Sequence, residues 1–332
     1  MNNAVPAVDQ QLADLVAGKD VPAIEAFVLA RLFELFVADP GALIQAIALL
    51  PPAALERSPQ LQVMSGFYGR IGLADGAINR EVMPALLADG TPAARDSAWL
   101  RHWIQLQELL AHRFRADFAA AREVGARLRA EVTAADAEGR RPIHELAAIA
   151  MLHVGLAELL DGDFEQSLRD FEEARILREP GKPDVVGRDA LVKAALVQAA
   201  TGNLHRAEAT LRRAERIPSP SESFRRFTTA TATMARAIIA VERLDPDADE
   251  LVTAALEHGE RDELWGFAFL AASRQATASG DYTRTLDLIH QATLHKPMPD
   301  GSFVAIATAA AHARTLLMLG ETEAAAEILE HC

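Results

Sequence analysis

The chain has 332 residues, half of them apolar and only 5% aromatic, and its 47 acidic and 33 basic side chains leave a formal net charge of −14. That charge repels a phosphate backbone and argues against direct nucleic-acid binding, while a lone cysteine, Cys332, excludes an internal disulfide. The length exceeds what one hydrophobic core usually holds, and abundant alanine with almost no strand-like alternation favours an all-helical, elongated array over two compact domains.

Residues 1–20, which begin MNNAVPAVDQ, lack the basic start and apolar run of a signal peptide and read as a disordered or extended lead-in. The most apolar stretches, 26–50 and 303–319, are broken by Arg31, Glu34, Asp39 and Pro40 and by His312 and Arg314, so neither reads as a membrane span and the expected location is cytoplasmic. A first helix is predicted from Pro22 to Val37, stopping at Asp39-Pro40-Gly41, and a shorter one from Ala42 to Leu50. Ala53 to Arg57 read as a turn, after which Ser58-Pro59 cap and open a helix over Gln60 to Leu73. Asp75-Gly76 and Asp89-Gly90 bracket a partner helix carrying Ile78, Val82 and Leu86. A longer helix over 93–112 carries Trp99, Trp103, Leu106 and Leu109, its partner covers 117–132, and 133–142 is a loop.

The best-formed unit runs from Ala147 to Pro180. Met151, Val154, Leu156 and Leu159 recur at helical spacing, Gly162-Asp163 turns the chain, and Phe164, Leu168, Phe171 and Ala174 form the apolar side of a second helix. Such a hairpin cannot bury both apolar faces alone and needs copies of itself on either side. Copies follow around Gly202-Asn203, Gly280-Asp281 and Gly320-Glu321, with a degenerate one at Asp245-Pro246-Asp247 that lacks the turn glycine. Gly162 to Gly202 is 40 residues, Gly202 to Gly280 is 78 or twice 39, and Gly280 to Gly320 is 40, a period in the helical-pair range. The last copy stops within its second helix, which suggests that the natural protein continues.

The unit at 151–180 resembles the tetratricopeptide repeat. Gly155 falls at that repeat's helix-contact glycine, Phe171 at its second-helix aromatic, Ala174 at its small residue and Pro180 near its terminal proline; Met151 and Ser167 depart from its tryptophan and alanine. The region from about 22 onward, through Leu50-Pro51 and Pro59-Gln60-Leu61, resembles the helical-repeat region of large LuxR-type, MalT-like transcription regulators. These resemblances imply an all-α, right-handed superhelix (an α-solenoid) of tetratricopeptide-like hairpins over 21–332, about seven to eight helix pairs with the last truncated. They also imply a sensor whose repeats receive an inducer or a partner protein. The nucleotide-binding loop and recognition helix that flank such arrays are absent from this sequence.

No H-E-x-x-H, Cys-His cluster, nucleophile elbow or phosphate-cradling loop appears, so neither an enzyme nor a metal or cofactor site is expected. The candidate site is a groove lined by the first helices of successive copies. Arg274 and Arg314 lie six residues before their turn glycines and Arg236 lies 38 before Arg274, a ladder of guanidiniums suited to a carboxylate, a phosphorylated ligand or an acidic peptide. The competing reading pairs each arginine with a nearby acid such as Glu242, Asp281 or Glu321. Trp99, His102 and Phe267 are aromatic candidates for the same groove, and Leu156 and Leu196 would give it an apolar half. Two functions follow. One is an effector- or partner-binding sensor domain of a LuxR-type regulator, with homo-oligomerisation as one route for the signal; the other is a free-standing scaffold for a peptide or protein partner.

Overall fold

A computed structural model describes residues 8–58, 61, 98–134, 144–177, 185–218, 222–259, 263–295 and 299–330. All regular structure among them is α-helical, and no helix there is long and apolar enough to cross a membrane. The N-terminal part holds α1 (Val8–Gly18), α2 (Val21–Ala38), α3 (Pro40–Ala48) and α4 (Pro52–Arg57). The expected lead-in is therefore a helix from Val8 onward: Leu12 is fully buried in a core it shares with Ile24, Val28, Leu35 and Leu43. The expected turn at 53–57 is a single helical turn, and the Ser58 hydroxyl accepts from the Leu61 N–H as the cap reading requires. Asp20 and Asp39, each followed within two residues by proline, accept from the Ala23 and Ala42 N–H groups and set the starts of α2 and α3. The helices predicted between Gln60 and Leu87 lie outside the described residues.

Six consecutive hairpins follow: α5 (Ala98–Phe114) with α6 (Phe118–Ala134), α7 (His144–Asp161) with α8 (Phe164–Ile176), α9 (Val185–Ala200) with α10 (Leu204–Glu215), α11 (Glu222–Arg243) with α12 (Ala248–Gly259), α13 (Trp265–Ala278) with α14 (Tyr282–His295), and α15 (Phe303–Met318) with α16 (Thr322–Glu330). Each first helix packs on its own partner, and from the second hairpin onward also on the preceding first helix and the preceding partner. One turn builds all six. A residue in the left-handed region, at Ala116, Gly162, Gly202, Leu244, Gly280 and Gly320, follows each first helix. The next N–H reaches back five residues, as from Asp163 to the Glu158 carbonyl and from Asp245 to the Ala240 carbonyl, which satisfies the orphaned helix end. The degenerate copy thus keeps the turn without the glycine. Its left-handed residue is Leu244, so the 78-residue interval divides into 42 and 36 rather than two equal halves.

Small side chains mark the close approaches. Ala121, Ser167, Ala207, Thr285 and Ala325, five residues past their turns, are all buried. At Gly155 an added Cβ would stand 2.8 Å from the Phe171 ring, so α7 and α8 meet there at a distance only glycine allows. The main core runs through hairpins 2 to 5, from Met151 and Phe171 through Leu196, Leu211 and Ile238 to Phe267 and Ala272. A charged cluster is set into it: Arg129 of α6 bonds Glu158 of α7 at 2.5 Å and Asp170 of α8 at 2.7 Å, and Arg122 adds Glu158 at 2.9 Å and Asp161 at 2.6 Å. Burial pushes the Asp170 carboxyl up against the pull of Arg129; burial would lower Arg129 too, but its bonds to Asp170 and Glu158 hold it above its ordinary value.

Two outcomes follow. Leu244→Gly removes the steric cost of a branched side chain at φ 58° while losing only an exposed one, and should raise stability by about 1 kcal/mol in denaturant unfolding; a lowered midpoint would show that the Leu244 side chain packs in solution. Arg129→Met strips the buried Asp170 of its cation and leaves Glu158 with Arg122 alone, and should cost about 3 kcal/mol, whereas a loss below about 1 kcal/mol would mean that water already shares the cluster.

Candidate functional site

Two contacts join hairpins that are distant in sequence. The Arg113 side chain, at the end of α5 and only 2% exposed, donates from Nε to Glu263, just before α13, at 2.7 Å across 150 residues of sequence. Its guanidinium also lies 5.5 Å from the centre of the Phe114 ring and 3.0 Å from His153 Nδ1. A guanidinium can only donate, so His153 Nδ1 accepts and the imidazole is neutral, with its proton on Nε2. A few residues away Phe303, opening α15, stacks on Phe267 at 4.5 Å and meets Phe164, opening α8, edge-on at 5.2 Å. A Cβ added at Gly162 would stand 3.9 Å from the same Phe303, so the turn comes close to it. Hairpins 1 and 2 are therefore joined to hairpins 5 and 6 by an ionic and an aromatic contact, which form a seam.

His153 lies nine residues before the turn at Gly162, and Lys193 lies nine before Gly202, where it is buried and bonded to Asp189 at 2.5 Å. The same place in hairpin 1 holds Gln107, also buried, and in hairpins 4 to 6 it holds Ala235, Ala271 and Ala311. Polar side chains thus occupy one register through the first three copies and alanine through the last three. Burial first, then Arg113 and Lys193, holds His153 well below the ordinary histidine value.

The residues proposed from sequence are dispersed. Arg274 pairs with Glu242 of α11 at 2.5 Å, and Arg236 pairs with Glu215 of α10 at 2.5 Å. Because Leu244 is the fourth turn residue, Ile238 and not Arg236 occupies the place equivalent to Arg274, so the ladder loses that rung. The Arg274 register is the stacking face: Leu156, Leu196 and Ile238 there are buried core rather than the apolar half of an open groove. Arg314 is exposed. Its counterpart to Glu242, two residues before the preceding turn, is Ala278, which cannot pair with it. His102 is buried between α5 and α6 with Nε2 3.3 Å from Glu131, and Phe267 is interior to the seam. Trp99 is in α5, its side chain outside what the structure describes.

Of the seam residues, His153 carries a signal in the sequence, since it and Lys193 both lie nine residues before a turn glycine. Glu263, in a connecting segment with no periodic partner, carries no such signal. No family model, no curated protein and no solved structure matches the chain.

The histidine gives a pH dependence with a definite sign. The unfolded chain takes up a proton near pH 6.5 that the folded chain refuses, so this group's contribution to stability is complete above about pH 6.5 and falls as the pH drops below it. His153→Gln keeps an acceptor for Arg113 and should flatten the loss of stability between about pH 7 and pH 5; an unchanged slope in denaturant titrations would place the proton uptake elsewhere.

Proposed function

We propose that the chain is a binding module: an α-solenoid of tetratricopeptide-like hairpins that receives a protein or peptide partner and does no chemistry of its own. The observation that carries this reading is the sixfold repetition of one turn with every first helix laid beside the next. Hairpins stacked in that way expose long surfaces of constant register, which suit recognition of extended or helical partners.

Within that reading, a sensor role like that of the LuxR-type regulators draws support from the seam. Arg113–Glu263 and Phe164–Phe303–Phe267 join hairpins far apart in sequence, so a partner or anionic effector that prefers the parted form would shift the curvature of the whole array. Among the ladder arginines, Arg314 is the one open to an anionic group, since Arg236 and Arg274 already hold carboxylates.

Photo-crosslinking in the source cell tests the module reading, with a photoreactive residue placed in turn at exposed positions on each hairpin. A discrete protein adduct from a contiguous set of positions is expected. Absence of any adduct across the array would sink the reading.

A further inference from the structure

Charge is distributed unevenly along this acidic chain. Residues 175–226 hold 11 basic and 6 acidic side chains, a net of +5, which leaves −19 on the rest of a chain whose total is −14. Within that stretch, Arg206, Arg212, Arg213 and Arg216 share one exposed side of α10 and its C-cap with the small Ala209, while Ala207, Thr210, Leu211 and Ala214 are buried on the other. The two carboxylates of α10 lie on the flank toward α11 and both are taken. Glu208 bonds Arg243 at 2.5 Å and Glu215 bonds Arg236 at 2.5 Å, whereas Arg212 reaches Glu208 only at 3.8 Å. Because α11 meets α10 more lightly than α9 meets α8 or α13 meets α12, those ion pairs bridge a flank that elsewhere is packed.

Arg206 and Arg213, two turns apart, lie on the opposite flank, toward Glu172 of α8. Glu172 is already gripped by two bonds from Arg175. Those bonds first, against the opposing effect of partial burial, and then the charges of Arg213 and Arg206 hold the Glu172 carboxyl below its ordinary value. Among the described residues Arg206, Arg213 and Arg216 have no carboxylate at ion-pair distance. Other exposed arginines in the array do, as Arg127 with Glu108 and Arg169 with Glu165. The site is also narrow. In the neighbouring hairpins α12 carries Asp249, Glu250 and Glu257 with no lysine or arginine, and α8 carries four carboxylates against two arginines. A nucleic-acid backbone running on past α10 would meet those like charges, whereas a short anionic segment fits within the helix's length of about 18 Å.

We propose that the exposed side of α10, from Arg206 to Arg216, is a docking site for a short acidic segment of a partner protein, whose carboxylates pair with Arg206, Arg212, Arg213 and Arg216. Guanidiniums left without partners on an acidic chain steer such a segment to this one helix and grip it by paired hydrogen bonds. This inference rests on the binding-module reading and adds the place and the chemistry of one partner.

The test uses the full chain and a fluorescein-labelled peptide of about twelve residues rich in aspartate and glutamate, followed by fluorescence anisotropy at about 0.15 M salt, where fields beyond about 8 Å are screened. Binding is expected, weakened about tenfold or more in the Arg206→Glu, Arg213→Glu double variant, and weakened also when the peptide's carboxylates are exchanged for carboxamides. Both substituted side chains are exposed and outside any ion pair, so the circular dichroism of the variant should match that of the parent. The same change of charge at Arg127 and Arg284, exposed on hairpins 1 and 5, should alter the affinity by less than about twofold. No peptide bound by the parent, or an equal loss in both double variants, would overturn the proposal. An oligonucleotide of the same charge that binds more tightly through Arg206 and Arg213 would overturn it too, and give the surface to a nucleic acid. A concentration-dependent dimer in sedimentation that the Arg206 and Arg213 exchanges abolish would give it instead to a second copy. Crosslinked partners mapping to other hairpins, with no peptide bound here, would remove this surface while leaving the module reading intact.

Discussion

A two-helix hairpin of this length has more apolar surface than it can fold against itself, and the burial of that surplus against the next hairpin is the interaction on which everything else depends. Leu156, Leu196 and Ile238 show how strictly it is satisfied, each fully or almost fully removed from water at the same place in successive copies. The turn serves this end. By fixing where the left-handed residue falls, it fixes which side of each first helix faces forward, and a slip of one position would carry the apolar stripe about 100° round the helix and away from its neighbour.

Polar chemistry in the interior follows from the same geometry. Glu158 and Asp170 face a place where three helices of adjoining hairpins converge, and the long side chains of Arg122 and Arg129 reach them from α6. Apolar packing alone would tolerate several relative placements of α6, α7 and α8, whereas a carboxylate gripped from two sides tolerates one. At the seam, Arg113 has two tasks at once, holding Glu263 and fixing the tautomer of His153, so the ionic closure and the protonation state of the histidine are coupled.

The hairpins from Ala147 onward could be read from the chain because their turns carry glycine and their helices carry a clean apolar period. Phe164 to Ile176 and Tyr282 to His295 begin at the residues the turn chemistry marks. The reading failed where the same backbone shape is made by other residues: Ala116 and Leu244 take the left-handed conformation without glycine, and the 38-residue step back from Arg274 placed Arg236 two residues out of register. Leu12 in α1 was missed because a short helix without strong caps owes its existence to tertiary burial rather than to its own sequence. The site was the least legible part. Arg113–Glu263 joins groups 150 residues apart, and no local pattern foretells a meeting of that kind.

That same separation bears on how the molecule assembles. Most contacts in a hairpin stack lie between neighbours in sequence, which favours rapid, zipper-like folding from any nucleus. The contacts of Arg113 with Glu263 and of Phe164 with Phe303 close loops well over a hundred residues long, and the chain entropy of those closures is offset only once the intervening hairpins are in place. The seam thus sets two non-local closures on a molecule otherwise governed by local order.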